Sequence, residues 1–233
     1  MNQYNIYLVN QEVQSQIFWC FLDAPQGLGS KKVYANSEVS LEVKPFNPHV
    51  QNSFTVPVQY QVEAGASNQA VKPKIEITSM DTYKTNTGEM WQVDYTTVPP
   101  NEGPSMNQAS SPPPNSQPPS SSQILLSTNA FNQKTNIQNN WYESMSFGIM
   151  TEAGYIGTTW SPDPSETYTI TPKLKFYIAT GKYESNSLAS YSQVSNGSAI
   201  VDTAQSFDAQ LNCTVTLNSS GQWSVTPGLP PAS

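Results

Sequence analysis

The chain has 233 residues and a net charge of −7, and only 12% of its side chains are charged; it holds no arginine, one histidine (His49) and ten basic residues that are all lysine. Arginine is the usual fork for phosphate and carboxylate and histidine the usual proton shuttle near neutral pH, so this composition argues against phosphate chemistry and against general acid–base catalysis. Asn, Gln, Ser and Thr fill the space, with 20, 19, 30 and 20 copies, or 89 of 233 residues, well above ordinary usage.

Aromatic residues at 11% bury enough area each to support a core, and the chain lacks the high net charge and aromatic poverty of disordered sequences. The opening MNQYNIYLVNQE has no basic region followed by an apolar run. We therefore expect no secretory leader, and a chain that is cytoplasmic or exported without one. No stretch approaches the roughly 18 apolar residues of a membrane-spanning helix.

In chain order, period-two alternation predicts strands at 4–9, 16–22, 38–43 and 54–63. The second is apolar on both faces, which buries Cys20 whichever way it points. The third turns Val39, Leu41 and Val43 inward. In the fourth, Phe54, Val56, Val58, Tyr60 and Val62 form one face, and Pro57 on the other sets the strand at an edge or beside a bulge. Strands at 74–78 and 90–97 follow.

Residues 99–123 break the pattern with eight prolines, seven serines and one charge, Glu102. Such a stretch favours extended coil. It is either a linker between pieces 1–98 and 124–233, or a loop inserted into one sandwich spanning 1–233. The second is preferred, because both chain ends carry a cysteine strand of buried character. The segment lacks the basic residue of a proline-motif ligand. Residues 131–143 hold at most a turn of helix. Further strands are predicted at 144–150, 155–160, 167–171, 174–180, 198–203, 210–217 and 222–226, the last two joined by a hairpin loop. About 10–13 short strands with little or no helix predict an all-β, antiparallel β-sandwich or jelly-roll-like fold.

Chemistry-bearing constellations are few. His49 sits in Pro45-Phe-Asn-Pro-His49, a turn without a nucleophile to serve. Two cysteines 193 positions apart make no zinc spacing, and the acidic turn Ser161–Glu166 is too sparse for calcium. No metal and no cofactor are expected. Glu38 and Glu42 share a face that reads as solvated or as an edge guard, so no enzyme is expected. The lysines are scattered, which excludes nucleic acid as a partner. The three Asn-X-Ser/Thr triplets, at Asn196, Asn212 and Asn218, are no more than composition alone produces. Cys20 and Cys213 are either buried free thiols or a disulfide joining the first and last strands.

The features that stand out are aromatics among amides in loops: Asn140, Trp141 and Tyr142; Trp160 and Asp163; Tyr183. A ring that packs on the apolar face of a pyranose, with amides and carboxylates around it, is suited to sugar recognition; the same rings also serve to close the ends of a sandwich. The expected function is therefore non-enzymatic binding of a glycan or cell surface through these residues. The alternative is a structural, self-assembling protein (a filament, shell, inclusion or crystal component) whose partners are copies of itself. It follows from low charge and abundant amides along sheet edges. A membrane-surface toxin is a third reading. The opening strand ending at Asn10, followed by Ile17-Phe-Trp-Cys-Phe-Leu22, resembles the first hairpin of small β-sandwich families such as the thaumatin-like and aegerolysin-like proteins. The likeness covers about 20 residues, lacks the cysteine framework of the former, and carries no site residue across.

Overall fold

A computed structural model describes residues 3–99 and 101–231. In chain order its elements are β1 (Gln3–Asn10), β2 (Gln16–Leu22), β3 (Val33–Ser37), β4 (Ser40–Val43), β5 (Ser53–Pro57), β6 (Tyr60–Ser67), β7 (Ser79–Thr85), β8 (Met90–Asp94), β9 (Thr97–Val98), β10 (Asn101–Glu102), β11 (Ser105–Gln108), β12 (Ile124–Thr128), α1 (Gln133–Gln138), β13 (Tyr142–Thr151), β14 (Gly154–Trp160), β15 (Thr167–Ile170), β16 (Lys175–Thr180), β17 (Ser187–Ser190), α2 (Tyr191–Ser195), β18 (Ala199–Asp202), β19 (Asn212–Leu217) and β20 (Trp223–Pro227). The fold is all-β, and its two helices have six and five residues.

Three four-stranded sheets and one of six strands carry the architecture, in the orders β20-β19-β1-β5, β18-β16-β2-β4, β11-β8-β12-β15 and β17-β3-β14-β13-β6-β7, with a small β9-β10 ribbon. Each of the four takes strands from both sides of the proline-rich stretch. β1 pairs with β19 and β8 with β12 in parallel, whereas β2 pairs with β16 and β6 with β13 antiparallel. One apolar cluster joins the sheets through Ile6 and Val215, Phe18 and Phe176, Trp91 and Leu126, and Val62 and Phe147. The opposite face of β2, Trp19 and Phe21, meets a smaller cluster with Tyr177, Ala179 and Val194 of α2. β2 is thus buried on both faces, as its continuous apolar run requires.

The alternation-based reading needs four corrections. The stretch 54–63 is two strands in different sheets: the chain leaves β5, an edge strand that tolerates Pro57, turns at Val58 and Gln59, and enters β6. Gln59 Nε2 fixes this turn by donating to the Thr85 carbonyl at 2.9 Å. Residues 74–78 form no ladder; Lys74 holds a left-handed φ of 68° and the strand begins at Ser79. β1 and β2 lie in separate sheets and are no hairpin. Finally, the described residues form twenty strands, more than the expected 10–13, because polar segments such as β3, β7, β11 and β17 also pair.

The proline-rich stretch itself is partly ordered in the sheet. β11 flanks β8 on one side with Met106 buried, and β12 flanks it on the other. Residues 109–123 therefore connect two neighbours of the same strand. Replacing residues 111–121 by a six-residue Gly/Ser linker should shift Tm by no more than about 2 °C, since closure cost changes only logarithmically with length. A drop beyond roughly 5 °C in thermal unfolding would contradict this account of the stretch.

Candidate functional site

The ladder of β6, β13 and β14 sorts side chains strictly by face. Val62, Ala64, Met145, Phe147, Ile149 and Ile156 enter the core. The partners that alternate with them are Gln61, Glu63 and Gly65 on β6, Ser144, Ser146 and Gly148 on β13, and Tyr155, Gly157 and Thr159 on β14. This second face is polar, yet its members are buried: Glu63 is 4% exposed and Ser144 0%. The glycines allow the close approach. The Tyr155 ring lies over Gly148 and Gly157, where a Cβ on either would meet it.

Hydrogen bonds run across the strands. Ser146 and Thr159 hydroxyls meet at 2.7 Å, and Thr159 Oγ1 donates to Asn36 Oδ1 of β3 at 3.0 Å. Gln61 Nε2 donates to Glu63 Oε1 at 2.8 Å, and the Tyr155 backbone N–H donates to Glu38 Oε2 at 3.0 Å. Burial, then the nearby Glu38 charge, push the Glu63 carboxyl from 4.5 up to about 7 against the opposing Gln61 contact. Burial also raises Glu38. Glu38 is thus a half-buried acceptor, whereas Glu42 beside it stays exposed.

Residues 68–78 roof part of this face. Ile77 packs at Gly65, and the roof is fastened to β17 by Lys74 N–H donating to the Leu188 carbonyl at 2.7 Å and Leu188 N–H donating to the Ile75 carbonyl at 3.2 Å. Two cavities adjoin at β17, sharing Ser187 and Leu188. One of about 170 Å³ is lined by Asn36, Glu38, Glu76 and Asn186; one of about 300 Å³ by Lys74, Lys182, Tyr183, Glu184 and Gln193. The ion pair of Lys74 with Glu184, at 2.8 Å, borders the larger. Both side chains are exposed, so the pair contributes little to stability.

The six residues singled out from the sequence fall into three separate groups, and no hydrogen bond or ring contact links these groups among the described residues. Asn140 follows Asn139, the C-cap of α1, in a left-handed conformation with φ 53°. Trp141 is half-buried and edge-on to Tyr95, 6.3 Å between centroids, and Tyr142 opens β13 opposite Ser67. Trp160 must be corrected outright. It is 0% exposed and edge-on to Tyr168 at 5.8 Å, so it offers no face to a ligand. Asp163 is paired with Lys31. Tyr183 is half-buried against Phe21 and Trp19, at 4.9 and 5.5 Å, and it lines the larger cavity. Glu38, read from the sequence as solvated or as an edge guard, is half-buried, and Asn36, Glu63 and Tyr155 were not among the sequence candidates; Gly148 and Gly157, directly opposite each other on β13 and β14, are the one local sign that a ring lies along the sheet.

Cys20 and Cys213 are free, buried thiols within the main apolar cluster. Burial pushes Cys213 up to about 12 and raises Cys20 further, with the Cys213 charge as the smaller cause. Among the described residues no three His, Cys, Asp or Glu side chains gather into a metal-binding group, and no helix is long and apolar enough to cross a membrane. None of the family models, curated proteins or solved structures compared with the chain matches it.

Two outcomes follow. Because Glu63 is raised in the folded state, its contribution is complete below about pH 4.5 and is lost as pH rises through 7. With divalent cations chelated, stability should fall across that window by roughly 2–3 kcal/mol, and Glu63→Gln should remove most of the slope in denaturant unfolding. A thiol reagent such as Ellman's should modify neither cysteine in the native protein and both in denaturant; no reactive thiol in denaturant would mean that the pair is oxidised.

Proposed function

We propose that the chain is a non-enzymatic binding protein that takes a neutral, hydroxyl-rich ligand of the glycan class in the paired cavities at β17. The observation that carries this reading is the half-buried Tyr183 ring, standing beside Gln193, Glu184 and Lys182 in the larger cavity. A ring flanked by amide, carboxylate and ammonium offers an apolar platform together with both donors and acceptors. The adjoining cavity continues the same chemistry with Asn36, Asn186 and Glu38. The ring is packed on Phe21 and Trp19, so its orientation is set before a ligand arrives, which lowers the entropy cost of binding.

A second reading, assembly with copies of the same chain, is favoured by apolar side chains left on the surface. Val13, Leu229, Met80 and Val50 are 91, 60, 56 and 55% exposed, Met80 on the edge strand β7. One experiment separates the two. On a glycan array followed by calorimetric titration of the best hit, Tyr183→Ala should weaken binding at least tenfold, about 1.4 kcal/mol, while Tyr183→Phe should retain it. A blank array from a protein that sediments as large particles would favour assembly. Unchanged binding in Tyr183→Ala would remove this cavity from the account.

A further inference from the structure

Two hydroxyls on the polar face of the six-stranded sheet have no partner. Tyr155 Oη and Ser144 Oγ are buried and make no hydrogen bond, and their residues are 2% and 0% exposed. A buried polar atom left in this state ordinarily signals a water or an ion. Both lie on the face that carries Glu63, and Glu38 approaches it from the end of β3. The Tyr155 hydroxyl lies within the field of both carboxyls, since Glu63 and then Glu38 oppose its ionisation once burial has done so. Each carboxyl has one oxygen engaged, Glu38 Oε2 by the Tyr155 N–H and Glu63 Oε1 by Gln61. Glu38 Oε1 and Glu63 Oε2 accept from no donor among the described residues.

Compensating positive charge is lacking. Among the described residues no lysine pairs with Glu38 or Glu63. Lys74 of the roof is taken by Glu184, and Lys84, opposite Gln61 on β7, is exposed. Glu76 of the roof adds a further negative charge at the cavity that Glu38 lines. A buried carboxyl beside a half-buried one, with no cation between them, either shares a proton or binds a positive ion.

We propose that the buried polar face binds a small hard cation of the calcium class between Glu38 and Glu63, with the Tyr155 hydroxyl oxygen as a neutral ligand. Hard cations take carboxylate and neutral oxygens and complete their shells with water. Two carboxylates are few for such a site, which places the affinity at the weak end, of millimolar order. The cation would tie β3, β6 and β14 together beneath the roof. The inference is independent of whether a glycan occupies the neighbouring cavity.

The probe is calcium chloride, added to chelator-treated full-length protein at pH 8 and compared with sodium chloride at matched ionic strength. Thermal unfolding should rise by about 3–5 °C at ten times the dissociation constant. The rise should shrink at pH 5, where protons compete, and vanish in both Glu38→Gln and Glu63→Gln. Glu63→Gln stays folded at pH 8, because the amide keeps the Gln61 contact and removes a buried charge, so loss of the response is not loss of the fold. An exposed control, Glu102→Gln, should keep the full rise. No rise in the parent protein, or an equal rise in all variants, overturns the proposal. So does stabilisation that tracks pH alone, which would assign the pair a shared proton.

Discussion

The ladder between β6 and β13 is the constraint on which the rest depends. It joins a strand from before the proline-rich stretch to one after it, over eight paired positions from Tyr142↔Ser67 to Ile149↔Tyr60. Its register decides what each face holds. A slip of one residue would send Glu63, Ser144 and Ser146 into the core and lift Val62, Met145 and Phe147 out of it. The apolar face gives the six-stranded sheet its hold on the other three. The opposite face is left free to be polar, and it is there that the unusual chemistry collects: a carboxyl titrating near neutrality, a second carboxyl, and two unpartnered hydroxyls.

That polar face also explains how a chain with one histidine and no arginine can hold sites of any specificity. Amides and hydroxyls become selective only when they are fixed in place and removed from water. Here the roof of residues 68–78, anchored to Leu188 by two backbone hydrogen bonds, shields one side, and the glycines at 148 and 157 let an aromatic ring lie flat on the other. The two cavities beside β17 lie where the roof meets the sheet edge, and they inherit their lining from both.

Much of this was legible in the sequence, and the failures have physical causes. β2 was read with its limits as observed because six consecutive apolar residues bounded by polar ones admit little else. The alternation of 54–63 continued straight across the turn at Val58 and Gln59, so period alone could not reveal a change of sheet. Strands β3, β7 and β17 are polar enough to look like loops; they pair because neighbouring strands supply the hydrogen bonds, not because their side chains ask for burial. Ile75 and Ile77 alternate like a strand yet serve as a lid. Among the candidate site residues, Trp160 ends an apolar strand and goes inside, while Tyr183 follows a glycine in a true loop and stays at the surface. Glu63 was visible only as the polar side of an amphipathic strand, and the burial of that side is a tertiary fact.

The most direct test is the titration of the Glu63 side-chain carboxyl itself, followed by carbon-detected NMR on the folded, cation-free protein. A midpoint close to 7 is the result this account predicts, because only a carboxyl enclosed in the polar face and facing Glu38 holds its proton so long. A midpoint near the ordinary 4.5 would show a solvated carboxylate, and the buried polar face on which the account rests would not exist.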